Sequence, residues 1–310
     1  MTNANEDIDL KIIFRNFWDQ KILIILVTSA FAISSVYYSL SLQNIYTSSV
    51  LLEINSSDNN NQVSDLASRY GGLASLAGIS MPTAEGDKAS YVKETLRSRQ
   101  FTKHILDFPS IRENLMAAKS FNAIDKNIIY DNSIYDYNSK SWVREVPRGK
   151  SITPSYLEVN KYLKESLIIS QDDESGYILI SFKHVSPVFS YEFLNLIVRE
   201  LNNVMLDKDL LEANESLVFL KTRLAETKEK GIRDSINSLI ASQLQIIMLA
   251  SVGEEYIIKT IDRPFIPEEK TSPSRSLICI SITMLGFIFS LVISLIVTFL
   301  KTRRYQHSYS

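Results

Sequence analysis

Few of the residues that build common catalytic and metal sites occur in this 310-residue sequence. It contains one cysteine, Cys279, and three histidines that lie far apart in the chain. This set allows no intrachain disulfide and no zinc or di-metal site with ordinary ligand spacing. The sequence also lacks a Walker A motif, a Rossmann glycine fingerprint and a Gly-x-Ser-x-Gly elbow. We therefore expect no catalytic residue, no cofactor and no metal, and we predict that the chain is not an enzyme.

An excess of positive charge is also missing. The formal net charge is -2 and the pI is about 6.0, so the composition gives no electrostatic reason to expect a nucleic acid partner. The remaining enzyme alternative is a glycosidase-like pair of carboxylates. Adjacent acids such as Glu254 and Glu255 support it poorly, because neighbouring residues on a strand point to opposite faces.

Charge is absent altogether from two long apolar runs. Ile22 to Leu42 has 21 uncharged residues and Ser276 to Leu300 has 25. Since roughly 20 apolar residues span a bilayer as a helix, both runs predict transmembrane helices, at 22–42 and 276–300. A cleavable signal peptide is the alternative for the first run, but its apolar stretch is longer than a typical signal sequence requires.

Basic residues flank the outer ends of both predicted spans. They are Lys11, Arg15 and Lys21 before the first span and Lys301, Arg303 and Arg304 after the second. The positive-inside rule then predicts cytoplasmic tails at 1–21 and 301–310. Residues 43–275 are expected on the other side of the membrane, and they are numerous enough to bury a core of their own.

The segment between the spans has mixed α and β patterns. Tyr46 to Ile54 predicts a strand, Asp87 to Asp107 a helix, Leu167 to Phe182 a β-hairpin and Glu255 to Ile261 a returning strand. The predicted fold class is therefore α+β, with two transmembrane helices flanking a membrane-proximal α/β domain.

Ser186-Pro187 begins a predicted long helix, since serine caps a helix and proline suits its first position. No proline or glycine interrupts the chain up to about residue 229, and a second helix is expected over about 232–250. The long helix carries an apolar seam at alternating spacings of three and four. The seam residues are Leu210, Ala213, Leu217, Leu220 and Leu224. So narrow a seam needs a helical hairpin, a neighbouring subunit, or both to cover it.

Two other stretches leave alternatives open. The small-residue run from Asp65 to Ile79 suits a mobile loop or close subunit packing, and it lacks the lysine of a phosphate-binding loop. Residues 108–160 are hard to place. Their aromatic residues, Tyr130, Tyr135, Tyr137 and Trp142, suit either a sugar-stacking surface or ordinary core and interface packing.

Small residues recur every four positions in the second predicted span, which is typical of closely packed membrane helices, with chance spacing in a serine-rich helix as the alternative. These transmembrane packing residues are Gly286, Ser290, Ser294 and Thr298. A proline-rich segment precedes the span. Its residues are Pro264, Pro267, Pro273 and Arg275, and its prolines favour an extended, stiff connection.

These motifs, in this order, resemble the Wzz family of polysaccharide co-polymerases, the chain length determinants of bacterial O-antigen and related surface polysaccharides. The matching motifs are Asp9-Leu10 to Trp18 and Lys21, Leu96-Arg-Ser-Arg99, Gly176-Tyr-Ile-Leu-Ile, His184-Val-Ser-Pro187, and the proline-rich segment from Ile261-Asp262 to Arg275. Together they cover nearly the whole chain.

The resemblance implies a bacterial inner-membrane protein with a periplasmic central domain, a long helix reaching into the periplasm and a ring-shaped homo-oligomer. It also implies a non-catalytic role in lipopolysaccharide biosynthesis: setting the length of a lipid-linked polysaccharide made by a Wzy-type polymerase. A polysaccharide export subunit and a two-span periplasmic sensor are the alternatives with the same architecture.

Overall fold

The computed structural model describes residues 17–54, 85–172, 174–251 and 256–307. Contacts divide the chain into two compact units, residues 1–44 with 270–310 and residues 45–269. The first unit is a pair of helices, α1 (Lys21–Ser41) and α8 (Arg275–His307). Both helices are long and apolar enough to cross a membrane, with mean hydropathies of 1.9 and 2.6.

The second unit is a mixed α+β domain, as predicted. Its helices are α2 (Glu85–Arg97), α3 (Arg99–Ile105), α4 (Ile111–Ala117), α5 (Tyr156–Ser166), α6 (Pro187–Glu226) and α7 (Lys230–Ala250). Its strands are β1 (Tyr46–Ile54), β2 (Ala118–Asn122), β3 (Asn127–Tyr130), β4 (Tyr135–Asp136), β5 (Ser141–Trp142), β6 (Leu167–Gln171), β7 (Ile178–His184) and β8 (Ile258–Asp262).

Four of the strands form an antiparallel sheet in the order β6-β7-β1-β8. Alternate residues of β7 are buried, which fits the two-residue period of a strand with one face on a core. Ile180 pairs with Val50 of β1 and Ile169 of β6, and all three side chains are buried. The predicted hairpin and the return of the chain beside β1 are therefore present.

The N-terminal half of α6 packs on this sheet through Phe193, Leu194, Ile197 and Leu201, each no more than 1% exposed. Its start is fixed locally, because Ser186 Oγ accepts a hydrogen bond from the Phe189 backbone N–H and Pro187 occupies the first turn. The helix has 40 residues, a length of about 60 Å at 1.5 Å per residue.

One predicted helix was wrong in its extent. Asp87 to Asp107 forms two helices, α2 and α3, because Ser98 has an extended backbone and its Oγ caps α3 by accepting from Phe101 N–H. Asn160 of α5 stabilises the break, since its side-chain amide donates to the backbone oxygens of Arg97 and Ser98.

The long helix also ends three residues before its predicted limit. Thr227 is extended, and its Oγ1 donates to the Arg223 carbonyl oxygen at 2.7 Å. The Arg233 guanidinium donates to the carbonyl oxygens of Leu224 and Thr227 at 2.9 and 3.0 Å. These contacts satisfy carbonyl oxygens that a helix end leaves without partners. They stabilise the short turn between α6 and α7.

Candidate functional site

The helix pair of the first unit brings together the small residues predicted to pack in the second span. Ser290 and Ser294 are 0% and 1% exposed. Thr298 accepts a hydrogen bond from the Gln20 side-chain amide at 2.6 Å. Thr28 of α1 lies beside this face, with its Oγ1 3.5 Å from Ser290 Oγ. The four-residue repeat therefore faces α1.

Gly286 lies where a larger residue would collide with α1. A Cβ atom at this position would be 2.5 Å from Cγ and 3.0 Å from Cδ1 of Phe31. The Phe31 ring also packs against Phe289, with ring centroids 6.0 Å apart. Glycine lets the two backbones approach at this point, which is the packing role of small residues in membrane helices.

The four residues of the proline-rich segment are divided between the two units. Pro264 and Pro267 belong to the α/β unit, where Ser48 of β1 donates to the Phe265 carbonyl oxygen at 2.7 Å and fixes the intervening residue. Pro273 and Arg275 belong to the helix pair, and Arg275 donates to the Asn44 side-chain oxygen at 3.0 Å. The segment contains no helix or strand between β8 and α8, apart from one bridge residue.

The seam of the long helix is covered in part by α7. Ala213, Leu217 and Leu220 are buried, whereas Leu210 and Leu224 are half-buried. Leu220 forms a small apolar cluster with residues of α7 and with Leu224. The α7 residues of that cluster are Ile236, Leu239 and Ile240. A helical hairpin within one chain thus accounts for the burial of Leu220.

The predicted aromatic residues of the 108–160 segment come together. Tyr137 stacks on Tyr130 with ring centroids 5.5 Å apart and planes at 14°. Tyr130 also meets Tyr135 at 5.6 Å, and Tyr135 meets Trp142 at 5.1 Å. Tyr135 is 6% exposed and Tyr137 is 62% exposed. We call these four residues the aromatic platform. Its Tyr135 side is buried in the protein, and its Tyr137 side is exposed.

The phenol of Tyr130 is half-buried and hydrogen-bonded. Burial, followed by repulsion from Tyr137, raises the pKa of this phenol to about 12. Its hydroxyl donates to the Asn114 side-chain oxygen at 2.5 Å. The contact fixes the inner ring of the platform against α4.

His184 couples β7 to the start of the long helix. Its Nε2 donates to the Asn114 carbonyl oxygen at 2.9 Å, and its Nδ1 accepts from the Ser186 N–H at 3.1 Å. The Nδ1 contact requires the neutral ring with its proton on Nε2, and burial lowers the pKa of His184 to about 4. The His184-Val-Ser-Pro187 motif is therefore a structural junction: His184 fixes Ser186, which caps α6.

A charged cluster on the long helix was not predicted from the sequence. Glu200 is 6% exposed and lies 3.0 Å from His104 Nε2, and it also contacts Arg199 and Asn203. Burial alone would raise the pKa of Glu200, but these hydrogen bonds bring it below its ordinary value. The partners are 96 residues apart in sequence, so no local motif signals the His104–Glu200 contact.

The Leu96-Arg-Ser-Arg99 motif lies at the break between α2 and α3. Leu96 is 2% exposed and joins the main core. A shallow cleft at this break is lined by Glu94, Arg97, Ser98, Arg99 and Lys164. Because it carries charges of both signs, the cleft does not define one ligand.

Several predicted features lie outside the described residues. They include the small-residue run from Asp65 to Ile79, the acidic pair Glu254 and Glu255, the basic residues Lys11 and Arg15, and the side chains of Lys301, Arg303 and Arg304. Across the described ranges, no three histidine, cysteine or acidic side chains gather as a metal-binding group.

Comparisons with known proteins find one family model that matches the N-terminal third of the chain. The model of the Wzz family, described as chain length determinant protein, matches residues 6–107. This match confirms the predicted resemblance over about a third of the chain. The hairpin, the His184 junction and the proline-rich segment lie outside the matched residues. No curated protein matches the chain significantly.

Solved structures similar to the chain include two co-polymerases. One is a full-length bacterial polysaccharide co-polymerase with 13% sequence identity and a TM-score of 0.40, over 95% of this chain and 98% of that chain. The other is a fragment of WzzB, a polysaccharide co-polymerase from Salmonella Typhimurium, with 13% identity and a TM-score of 0.30, over 74% of this chain and 100% of that chain.

Proposed function

We propose that this chain, which matches the Wzz family of chain length determinant proteins, regulates the length of a bacterial surface polysaccharide such as O-antigen. The observation that carries the proposal is the family match over residues 6–107, which include α1, β1, α2 and α3. The protein acts as a scaffold without a catalytic group of its own. Its output is therefore the distribution of polymer lengths, and the polymer itself is made by a partner.

The proposed location is the bacterial inner membrane, with both termini in the cytoplasm and residues 43–275 in the periplasm. Two apolar helices, Lys21–Ser41 and Arg275–Thr298, support two spans. The basic residues at the outer ends of the predicted spans support this orientation. With this topology, the long helix lies on the side where surface polymers are extended.

The proposed working form is a ring-shaped homo-oligomer associated with a Wzy-type polymerase and its lipid-linked polysaccharide. The α6–α7 hairpin supports self-association because it leaves large apolar side chains exposed. Leu211 and Val218 of α6 are 60% and 69% exposed, and Met248 of α7 is 64% exposed. Residues seven apart lie on one face of a helix, so Leu211 and Val218 present apolar surface together, and contiguous apolar surface of this kind marks interaction sites. A second copy of the chain is its proposed partner.

Two predicted sites have structural roles in this proposal. The proline-rich segment gives a stiff connection into α8, since proline fixes its own φ and restricts the preceding residue. The Gly286 face of α8 holds the two spans together. Both roles preserve the geometry with which an oligomer positions polymerase and growing chain.

Deletion of the gene tests the proposal. The length profile of surface polysaccharide, resolved on a gel, should change from a clustered to an unregulated distribution while polymer is still made. Complete loss of surface polymer would instead indicate an export subunit. An unchanged profile would contradict the proposal and favour a periplasmic sensor.

A further inference from the structure

The aromatic platform stands apart from the main hydrophobic core. Among the described residues that form this core, none is a platform ring. Ile128, just before the platform, packs against the core, but Tyr137 keeps 62% of its surface exposed. One face of the Tyr137 ring lies on Tyr130, so the exposed fraction belongs to its other face and edges. Core packing therefore does not account for Tyr137.

The platform is held in place by contacts that do not involve its open face. The Tyr130 hydroxyl is bonded to Asn114, and the next residue, Asp131, donates its backbone N–H to the Ala117 carbonyl oxygen at 2.8 Å. Strands β4 and β5 pair antiparallel, which sets Tyr135 opposite Trp142. A ring fixed before its ligand arrives loses little conformational entropy on binding.

Ionised hydrogen-bond acceptors flank the rings in sequence. Asp131 accepts from the backbone N–H and hydroxyl of Ser133 at 2.9 and 2.7 Å. Asp136 accepts from the Ser139 hydroxyl at 2.6 Å. This hydrogen bond is the largest of several effects that lower the pKa of the Asp136 carboxyl group. Charged residues are depleted at the centres of protein interfaces, so two carboxylates next in sequence to platform tyrosines disfavour a second protein as the occupant.

We propose that the aromatic platform binds a neutral pyranose unit of a polysaccharide, whose C–H face packs on the open face of Tyr137. This proposal rests on the proposed function, which makes a polysaccharide the ligand. A pyranose has an apolar C–H face that suits an aromatic ring and hydroxyl groups that suit carboxylate and serine acceptors. Asp131 is paired with Lys119 at 3.9 Å, whereas Asp136, next in sequence to Tyr137, has no such pairing among the described ion pairs and disfavours an anionic sugar, so the site favours uncharged units.

Tryptophan fluorescence gives a direct binding assay. The sequence has two tryptophans, Trp18 and Trp142. In a full-length Trp18→Phe background, Trp142 of the platform becomes the sole reporter. The probe is the surface polysaccharide released from the same strain by mild acid, titrated into the protein in detergent micelles. Binding at the platform should change Trp142 emission in a saturable manner.

Variants of Tyr137 identify the site. Tyr137→Ala and Tyr137→Leu both remove the ring, and we expect about fivefold to tenfold weaker binding from the lost stacking. Tyr137→Phe keeps the ring and should bind within about twofold of the parent. Tyr156→Ala is the matched control, since Tyr156 is 42% exposed and lies on α5 outside the platform. Thermal unfolding shows that each protein is folded before titration.

The outcomes separate this inference from the proposed function. Weaker binding in both ring-removing variants, with Tyr137→Phe and Tyr156→Ala unchanged, supports sugar binding at the aromatic platform. Equal affinity in all variants, or no saturable binding by the parent protein, overturns it. A changed oligomeric state with unchanged affinity also overturns it and identifies a second copy as the occupant. The gene-deletion profile tests the proposed function without reference to Tyr137, so either idea can fail alone.

Discussion

Replacing Gly286 with alanine tests whether α1 and α8 need a residue without a side chain where they meet at Phe31. The added Cβ would lie 2.5 Å from Phe31 Cγ. Since carbon atoms in contact prefer about 3.5–4.0 Å, the helices must separate by roughly 1 Å or Phe31 must leave its rotamer. Overpacking of this size costs about 1–3 kcal/mol. We expect weaker helix pairing and a broader distribution of polysaccharide lengths.

A disulfide assay measures the separation. Cys279 Sγ lies 3.8 Å from the Ser35 carbonyl oxygen. In Ser35→Cys, the introduced thiol and Cys279 are the only two in the chain. Because disulfides require close Cα atoms, their rate of formation in membranes reports on helix approach.

We expect Gly286→Ala to slow cross-linking several-fold and Phe31→Ala to restore it in the double variant. Met284→Ala, at a side chain 63% exposed, is the matched control and should leave the rate unchanged. An unchanged rate in Gly286→Ala would refute the close-approach argument.

Three further predictions concern the α/β unit. Leu220→Ala should destabilise the hairpin by about 2–5 kcal/mol because Leu220 is 2% exposed, whereas Val218→Ala, at 69% exposure, should change little; thermal unfolding compares them. Asn202→Ala should cost about 1–3 kcal/mol, because the Asn202 side chain accepts from the Ile258 N–H and donates to its carbonyl oxygen; equal denaturation midpoints would contradict this contribution. His184 is neutral in the fold with a pKa of about 4, below its ordinary 6.5, so the unfolded chain binds more protons between these values. Stability should therefore fall by about 2 kcal/mol from pH 7 to pH 5, and His184→Gln should flatten that dependence in urea titrations at each pH.

Local signals in the sequence predicted the elements whose causes are local. The apolar runs predicted both helices of the first unit, and alternating apolar residues predicted the β6–β7 hairpin. The start of α6 was predictable because its causes are local: Ser186 accepts a backbone N–H of the first turn, and Pro187 has no N–H that needs a partner. The small-residue repeat from Gly286 also pointed to a packing face, although its partner, Phe31, is 255 residues away.

Features that depend on distant residues were not predictable in this way. The break at Ser98 has a local part, its cap on the Phe101 N–H, which was missed, and a distant part, the contacts with Asn160 more than 60 residues away. Helix α5 did carry a local signal that was missed: Ser155 caps it by accepting from the Glu158 N–H, in the spacing of a capping box. The platform could be predicted as a set of aromatic residues. Which of its rings stack depends on the turns that connect β3, β4 and β5, and the sequence pattern did not predict these turns.

The central claim is tested most directly by re-expressing the full chain in the deletion strain and measuring the gel-resolved length profile at equal total surface polysaccharide. The account predicts that wild-type chain restores a clustered modal length, whereas empty vector leaves the unregulated distribution. The same profile in both strains would contradict a role in chain length.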